Sequence, residues 1–120
     1  QLHERHCRRV GRLITFVMYL TEQELATIRQ FFSTKPVLRA YLFGSYARGE
    51  ADERSDVDLL VELDYNRLDA FDFLVWPQSL RRRLKKKVDI VSGLKPRGVA
   101  SRKFYERVMT DRRQVYEAQA

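Results

Sequence analysis

Leu42-Phe43-Gly44-Ser45-Tyr46-Ala47-Arg48-Gly49-Glu50-Ala51-Asp52-Glu53-Arg54-Ser55-Asp56-Val57-Asp58-Leu59-Leu60-Val61 joins an apolar strand to a Gly-Ser turn and then to a second strand carrying two alternate aspartates. Successive side chains of a strand point to opposite faces, so Asp56 and Asp58 emerge together while Val57 and Leu59 enter the core. Two converging carboxylates repel each other unless a cation neutralises them, and hard oxygen ligands on a rigid strand suit Mg²⁺. The turn supplies the other half of a site. Gly44 lets backbone approach a ligand with no Cβ in the way, and Ser45 opens a short helix whose N–H groups and hydroxyl attract phosphate. Arg48, one turn further on, adds a full positive charge. The stretch reads as a site for a nucleotide and a metal ion.

Each piece alone has an ordinary reading. A Gly-Ser pair is usually only a turn, and an isolated Asp-x-Asp is more often a solvated strand end than a metal site. Their order here is what changes the reading, because strand, turn, short helix and second strand place phosphate donors beside metal ligands. Gly44-Ser45-Tyr46-Ala47-Arg48-Gly49, a spacer of five residues, and Ser55-Asp56-Val57-Asp58-Leu59 resemble the DNA polymerase β-like nucleotidyltransferase superfamily. Within it the chain looks most like the minimal nucleotidyltransferases, small prokaryotic proteins often encoded beside a HEPN-domain toxin, and the resemblance runs from about Met18 to Ala120.

That resemblance implies an α+β nucleotidyltransferase fold, a small mixed β-sheet flanked by helices. It also implies two Mg²⁺ ions held by Asp56, Asp58 and a third carboxylate on a later strand. Lys87-Val88-Asp89-Ile90-Val91-Ser92 offers Asp89, a carboxylate interrupting a short Val-rich run, as expected of a buried strand presenting one acid at its edge. Asp89 would complete one metal site or act as the base. Gly44 and Ser45 would fix the phosphates of ATP, with Arg48 as a helper that could equally face a partner. The implied activity is transfer of AMP to a hydroxyl, a tyrosine first of all, of a cognate HEPN toxin, which makes the chain an antitoxin enzyme. Two other classes stay open: an antitoxin that masks its toxin without chemistry, and an enzyme that modifies a small molecule or RNA. The carboxylates needed for chemistry argue against the first, and the lack of an added acceptor-binding domain counts against the second.

Working outward, Thr21-Glu22-Gln23-Glu24 has capping-box form and opens a helix to about Ser33, with Leu25, Ile28 and Phe32 on one face. Lys35-Pro36 breaks it. Val37 to Phe43 is the first strand, Ser45 to about Gly49 the short helix and Asp56 to Leu63 the second strand, followed by a turn at Asp64-Tyr65-Asn66. A helix runs from Asp69 to about Lys86, with a break or kink near Trp76 because Pro77 lies inside it. Lys87 to Ser92 is the third strand and Gly93 to Gly98 a loop. A last helix carries Val99, Phe104, Val108 and Met109 at near-helical spacing, and Val115-Tyr116-Glu117 adds a small apolar cluster. These aromatics read most simply as core.

At 120 residues and 44% hydrophobic, the chain is one domain's worth, with one core and no room for a separate substrate domain. A bare catalytic core implies that the acceptor brings its own recognition surface, which suits a protein. The net charge of +7 is uneven: Arg5, Arg8, Arg9 and Arg12 against Glu4 leave +3 in residues 1–17. The densest run, Arg81-Arg82-Arg83-Leu84-Lys85-Lys86-Lys87, reads as a solvated helix face or, functionally, as a surface for a partner. No aromatics interleave with it, so nucleic acid is not the expected main target.

Cys7 is the only cysteine, which rules out an internal disulfide and suits a reducing cytoplasm. His3, His6 and Cys7 have no later Cys or His to complete a structural zinc set. The apolar run Leu13 to Leu20 is too short to span a bilayer and no small-residue cleavage site follows it, so neither a membrane span nor a signal peptide is expected. Residues 1–17 fall outside the resemblance and read as a leader or tag-like tail outside the fold, with residues 18–120 forming the nucleotidyltransferase domain.

Overall fold

A computed structural model of the chain describes the backbone of residues 5–10, 13–93 and 99–119, and the side chains of 18–93 and 101–119. His3 and Lys95-Pro96 lie outside the described residues, as do the side chains of His6, Cys7 and Val99. The elements are β1 (Arg5–Val10), β2 (Leu13–Met18), α1 (Glu22–Ser33), β3 (Val37–Phe43), α2 (Ser45–Arg48), β4 (Val57–Leu63), α3 (Ala70–Leu84), β5 (Val88–Ser92), α4 (Val99–Asp111) and β6 (Arg113–Glu117). A four-stranded sheet in the order β5-β4-β3-β6 forms the centre. Its β3 pairs antiparallel with β4 and β6, whereas β4 and β5 run parallel. Parallel neighbours need a long crossover, and α3 provides it. The architecture is the expected α+β one, a small mixed sheet flanked by helices.

Local signals account for the elements around the site. Thr21 Oγ1 accepts from the Glu24 amide at 2.8 Å and Glu24 Oε1 accepts from the Thr21 amide at 2.9 Å, the reciprocal pair of a capping box. Asp69 caps α3 by accepting from the Phe71 amide at 2.9 Å. The main core lies on the α1 and α3 side of the sheet, where Ile28, Phe32, Val57, Leu59, Val61, Trp76 and Leu80 are buried to 1% exposure or less. Tyr41, Phe43 and Leu60 of alternate parity face the other side and pack with Val108 of α4. Period-2 alternation thus sends Asp58, Leu60 and Glu62 to the α4 side and Val57, Leu59 and Val61 to the main core.

Three sequence expectations change. The helix α3 continues across Pro77 without a break. The residues just before the proline hold it: Trp76 is fully buried, its Nε1 donates to Asp72 Oδ2 at 3.1 Å, and its ring meets Phe73 and Phe31 edge-on. Packing of that size, about 3–5 kcal/mol for a buried Trp, outweighs the one helical hydrogen bond a proline forfeits. Val115-Tyr116-Glu117 belongs to a strand, β6, on the free side of β3 rather than to a mere apolar cluster. Phe104 is not core; it is 51% exposed and meets Phe43 edge-on.

Residues 5–18 hold backbone order of their own. β1 and β2 pair antiparallel from Arg5↔Met18 to Val10↔Leu13 and form a separate two-stranded sheet. The Met18 amide donates to the Ala51 carbonyl at 2.7 Å. No helix among the described residues is long and apolar enough to cross a membrane.

Candidate nucleotide and metal site

The site begins at the end of β3. Gly44 adopts φ +75° and ψ −156°, a backbone region open to glycine and costly for other residues. A second constraint is spatial: a Cβ on Gly44 would overlap the Asp58 carboxylate. The Gly44 carbonyl then accepts from the amides of Ala47 and Arg48, at 3.0 and 3.1 Å, which turns the chain into α2. The leading N–H groups of a helix have no partner within it, and Gly44, just before them, lies against the Asp58 carboxylate.

Strand pairing brings the acids together. Asp58 lies opposite Phe43 on one side and in register with Asp89 on the parallel strand β5 on the other. Adjacent strands are about 4.8 Å apart, so the two carboxylates share an edge of the sheet. Asp56 precedes β4 and is exposed, as is Asp89, whereas Asp58 is half-buried. Burial pushes the Asp58 carboxyl up from 3.8 to about 6; the charges of Asp89 and then Asp56 push the same way, and Arg48 opposes them. The structure therefore brings Asp56, Asp89 and Arg48 within electrostatic reach of Asp58.

A cavity of about 280 Å³ opens between this edge and α4, lined among others by Gly44, Ser45, Arg48, Asp58, Arg107 and Asp111. Arg107 and Asp111 are the residues that the sequence reading missed. Both fall on the face of α4 that carries Phe104 and Val108, at helical spacing, and that spacing was the available signal. Asp111 ties Arg48 into the wall, with Oδ2 at 3.6 Å from the guanidinium, while Glu50 holds its Nε at 3.4 Å. Arg48 is thereby a fixed charge at the cavity rather than a freely swinging one.

A larger groove of about 990 Å³ lies on the α3 side, with Ser55, Gln78, Arg81, Arg82 and Lys85 in its wall. None of the three aspartates lines it, so volume does not mark the chemistry. The basic run expected there is divided in role: Lys86 is half-buried against Glu24 Oε2 at 2.5 Å, whereas Arg81, Arg82, Arg83, Lys85 and Lys87 are exposed.

Among the described residues, no group of three or more His, Cys, Asp or Glu side chains already stands in a metal-holding arrangement. The donor set nonetheless fits a hard divalent cation in its chemistry. Three carboxylates gather around the start of β4, where burial first, and then the charges of Asp89 and Asp56, raise the Asp58 carboxyl.

Comparison with known proteins agrees with this geometry. The model of the family described as "Polymerase beta, Nucleotidyltransferase" matches residues 26–120. Two proteins of Methanocaldococcus jannaschii named "Putative protein adenylyltransferase" are 46% and 43% identical to the chain over 52 and 51 residues. Those matches cover 42% of this chain and 52% and 58% of theirs, little more than half the length of each relative. Among solved structures, the chain is similar to one from "Crystal structure of the toxin-antitoxin with AMP-PNP", with TM-score 0.62, 26% identity and coverage of 79% of this chain and 74% of that one. It is also similar to a "putative minimal nucleotidyltransferase", with TM-score 0.58, 33% identity and coverage of 76% and 87%. With the family model spanning nearly all of the sheet and the acid edge built as described, the chain belongs to the polymerase β nucleotidyltransferase family.

Proposed function

We propose that the chain is a Mg²⁺-dependent protein adenylyltransferase that moves AMP from ATP to a hydroxyl, a tyrosine first of all, of a HEPN toxin and so acts as its antitoxin. The observation that carries this reading is the Gly44 turn seated directly on Asp58, with Asp89 in register beside it. Only glycine fits between that carboxylate and whatever occupies the turn. Family membership supports nucleotidyl transfer, and the similarity to a toxin-antitoxin structure holding an ATP analogue supports both nucleotide and partner.

In this reading, the turn at Gly44 and the Ser45 hydroxyl receive the phosphates of ATP, where N–H donors attract anions. Arg48, pinned by Asp111 and Glu50, adds a positive charge at the same wall. Asp56, Asp58 and Asp89 would hold two Mg²⁺ ions. Bound there, the metal supplies a lowered pKa for the acceptor hydroxyl and neutralises charge on the leaving pyrophosphate. In the same reading residues 18–120 would form the catalytic unit, and a lone cysteine, Cys7, suits a reducing cytoplasm.

The test is to incubate the chain with Mg²⁺, ATP and the product of the adjacent gene, and to record intact masses of both proteins. An AMP added to the partner, and lost with Asp56→Asn, is the expected result. Unchanged masses with a co-eluting complex would replace the enzyme with a masking antitoxin.

A further inference from the structure

The helix α3 has two opposed faces. Phe73, Trp76, Leu80 and Leu84 point into the protein, where the last three are buried. On the other side Phe71, Leu74 and Val75 are exposed to 83%, 72% and 49%. Positions three, four and seven apart share a helix face, so this apolar patch continues through Gln78 to Arg82 and, at the end of the helix, Lys85. The outward stripe is thus apolar in its first half and cationic in its second. Exposure of a large aromatic, a leucine and a valine side by side is unfavourable in water and marks a contact surface.

The stripe leads to the chemistry. Gln78, Arg82 and Lys85 share their groove with Ser55, the residue before Asp56. At the same end of the sheet the Val57 amide donates to the Lys87 carbonyl at 2.8 Å. A body lying along α3 therefore ends beside Ser55, the residue before Asp56, at the entry to β4.

We propose that this stripe of α3 is the docking surface for the protein acceptor, and that the acceptor meets it with an apolar patch followed by acidic side chains. The inference rests on the reading of the chain as an adenylyltransferase acting on a protein. Charge complementarity selects the occupant: Arg81, Arg82 and Lys85 rim the apolar half, with the net charge of the chain at +7, and they favour an acidic surface. The aliphatic Leu74 and Val75 select protein over nucleic acid, since a base stacks on aromatic rings and gains little from branched alkyl groups.

The experiment uses the full chain and, as the candidate HEPN acceptor, the product of the adjacent gene, with Kd from calorimetry and AMP transfer followed by mass. Phe71→Asp with Leu74→Asp should raise Kd at least tenfold and raise KM for the acceptor while leaving kcat at saturating acceptor unchanged. Arg82→Glu with Lys85→Glu should raise Kd less and flatten its salt dependence. Leu38→Glu, at an exposed leucine elsewhere, should change neither value, and circular dichroism with ATP binding checks that every variant is folded. Unchanged Kd in both α3 variants, with wild type binding, overturns the docking surface and leaves the acceptor reading intact. Failure of wild type to bind the HEPN protein overturns both. Self-association of wild type that Phe71→Asp with Leu74→Asp abolishes, or RNA binding lost in Arg82→Glu with Lys85→Glu while acceptor Kd stays constant, would reassign the stripe and overturn the proposal.

Discussion

Asp58 and Glu62 stand on the same strand and the same face, four residues apart, yet the chain treats their charges in opposite ways. Glu62 is answered from within: Arg39 NH1 lies 2.7 Å from Oε2, and the Tyr41 hydroxyl donates to Oε1 at 3.3 Å. Arg39 is in turn held more firmly protonated by Glu62 first and Glu117 second. Asp58 is half-buried beside two more acids, and Arg48, which opposes them, is itself shared with Glu50 and Asp111. A compensated carboxylate stabilises a sheet. An under-compensated one marks a place where an external cation completes the charge balance.

The contrast can be broken most forcefully by removing the acids. Asp58→Asn or Asp56→Asn should lower AMP transfer at least a thousandfold, about 4 kcal/mol of transition-state stabilisation, while the circular dichroism spectrum is retained; Glu62→Gln should transfer AMP at the wild-type rate. Equal losses in all three would erase the distinction between the two ends of β4. Gly44→Ala comes next. It forces a Cβ into the Asp58 carboxylate at a positive φ, so both activity and about 2 kcal/mol of stability should be lost, measurable by urea unfolding.

A pH titration sharpens the comparison further. The Asp58 carboxyl titrates at about 6 in the folded chain against 3.8 ordinarily, so the fold binds its proton more tightly than the unfolded chain does. Its contribution is therefore fully present below about pH 4 and is lost as pH rises through about 6. After allowance for solvent screening the loss is on the order of 1 kcal/mol. Chemical unfolding of the metal-free protein from pH 4 to 7 should show this decline, Asp58→Asn should remove it, and saturating Mg²⁺ should reverse it. The smallest effect belongs to the compensated end: Glu62→Gln breaks an exposed pair and should move Tm by less than about 2 °C.

Much of the fold was legible because it is written in local patterns. The capping box at Thr21 and Glu24, the strand from Val37 to Phe43, the Gly44 turn and the aspartates alternating with buried Val57 and Leu59 all depend on neighbours within a few positions. The errors lie where distant residues decide. Pro77 should interrupt a helix by its own chemistry, but Trp76 and Leu80 bury themselves against α1 and β5 and carry the helix through. Nothing local separates the β6 residues from a short apolar tail; pairing with β3 makes them a strand. Arg107 and Asp111 carry no motif and enter the site only because α4 packs against the α4-facing side of the sheet.

The sequence by itself pointed to a kind of chemistry, since glycine, serine and alternate aspartates in that order offer donors for phosphate and for a cation. Tertiary structure alone decided which charges remain unbalanced. Asp89 becomes the neighbour of Asp58 only through parallel pairing across the α3 crossover, and Arg48, beside its near neighbour Glu50, gains a second acid sixty-three residues later, Asp111. The same packing turns one face of α3 into core and leaves Phe71, Leu74 and Val75 in water. Periodicity marks both faces of a helix, but only the placement of the sheet says which of them is still open to a partner.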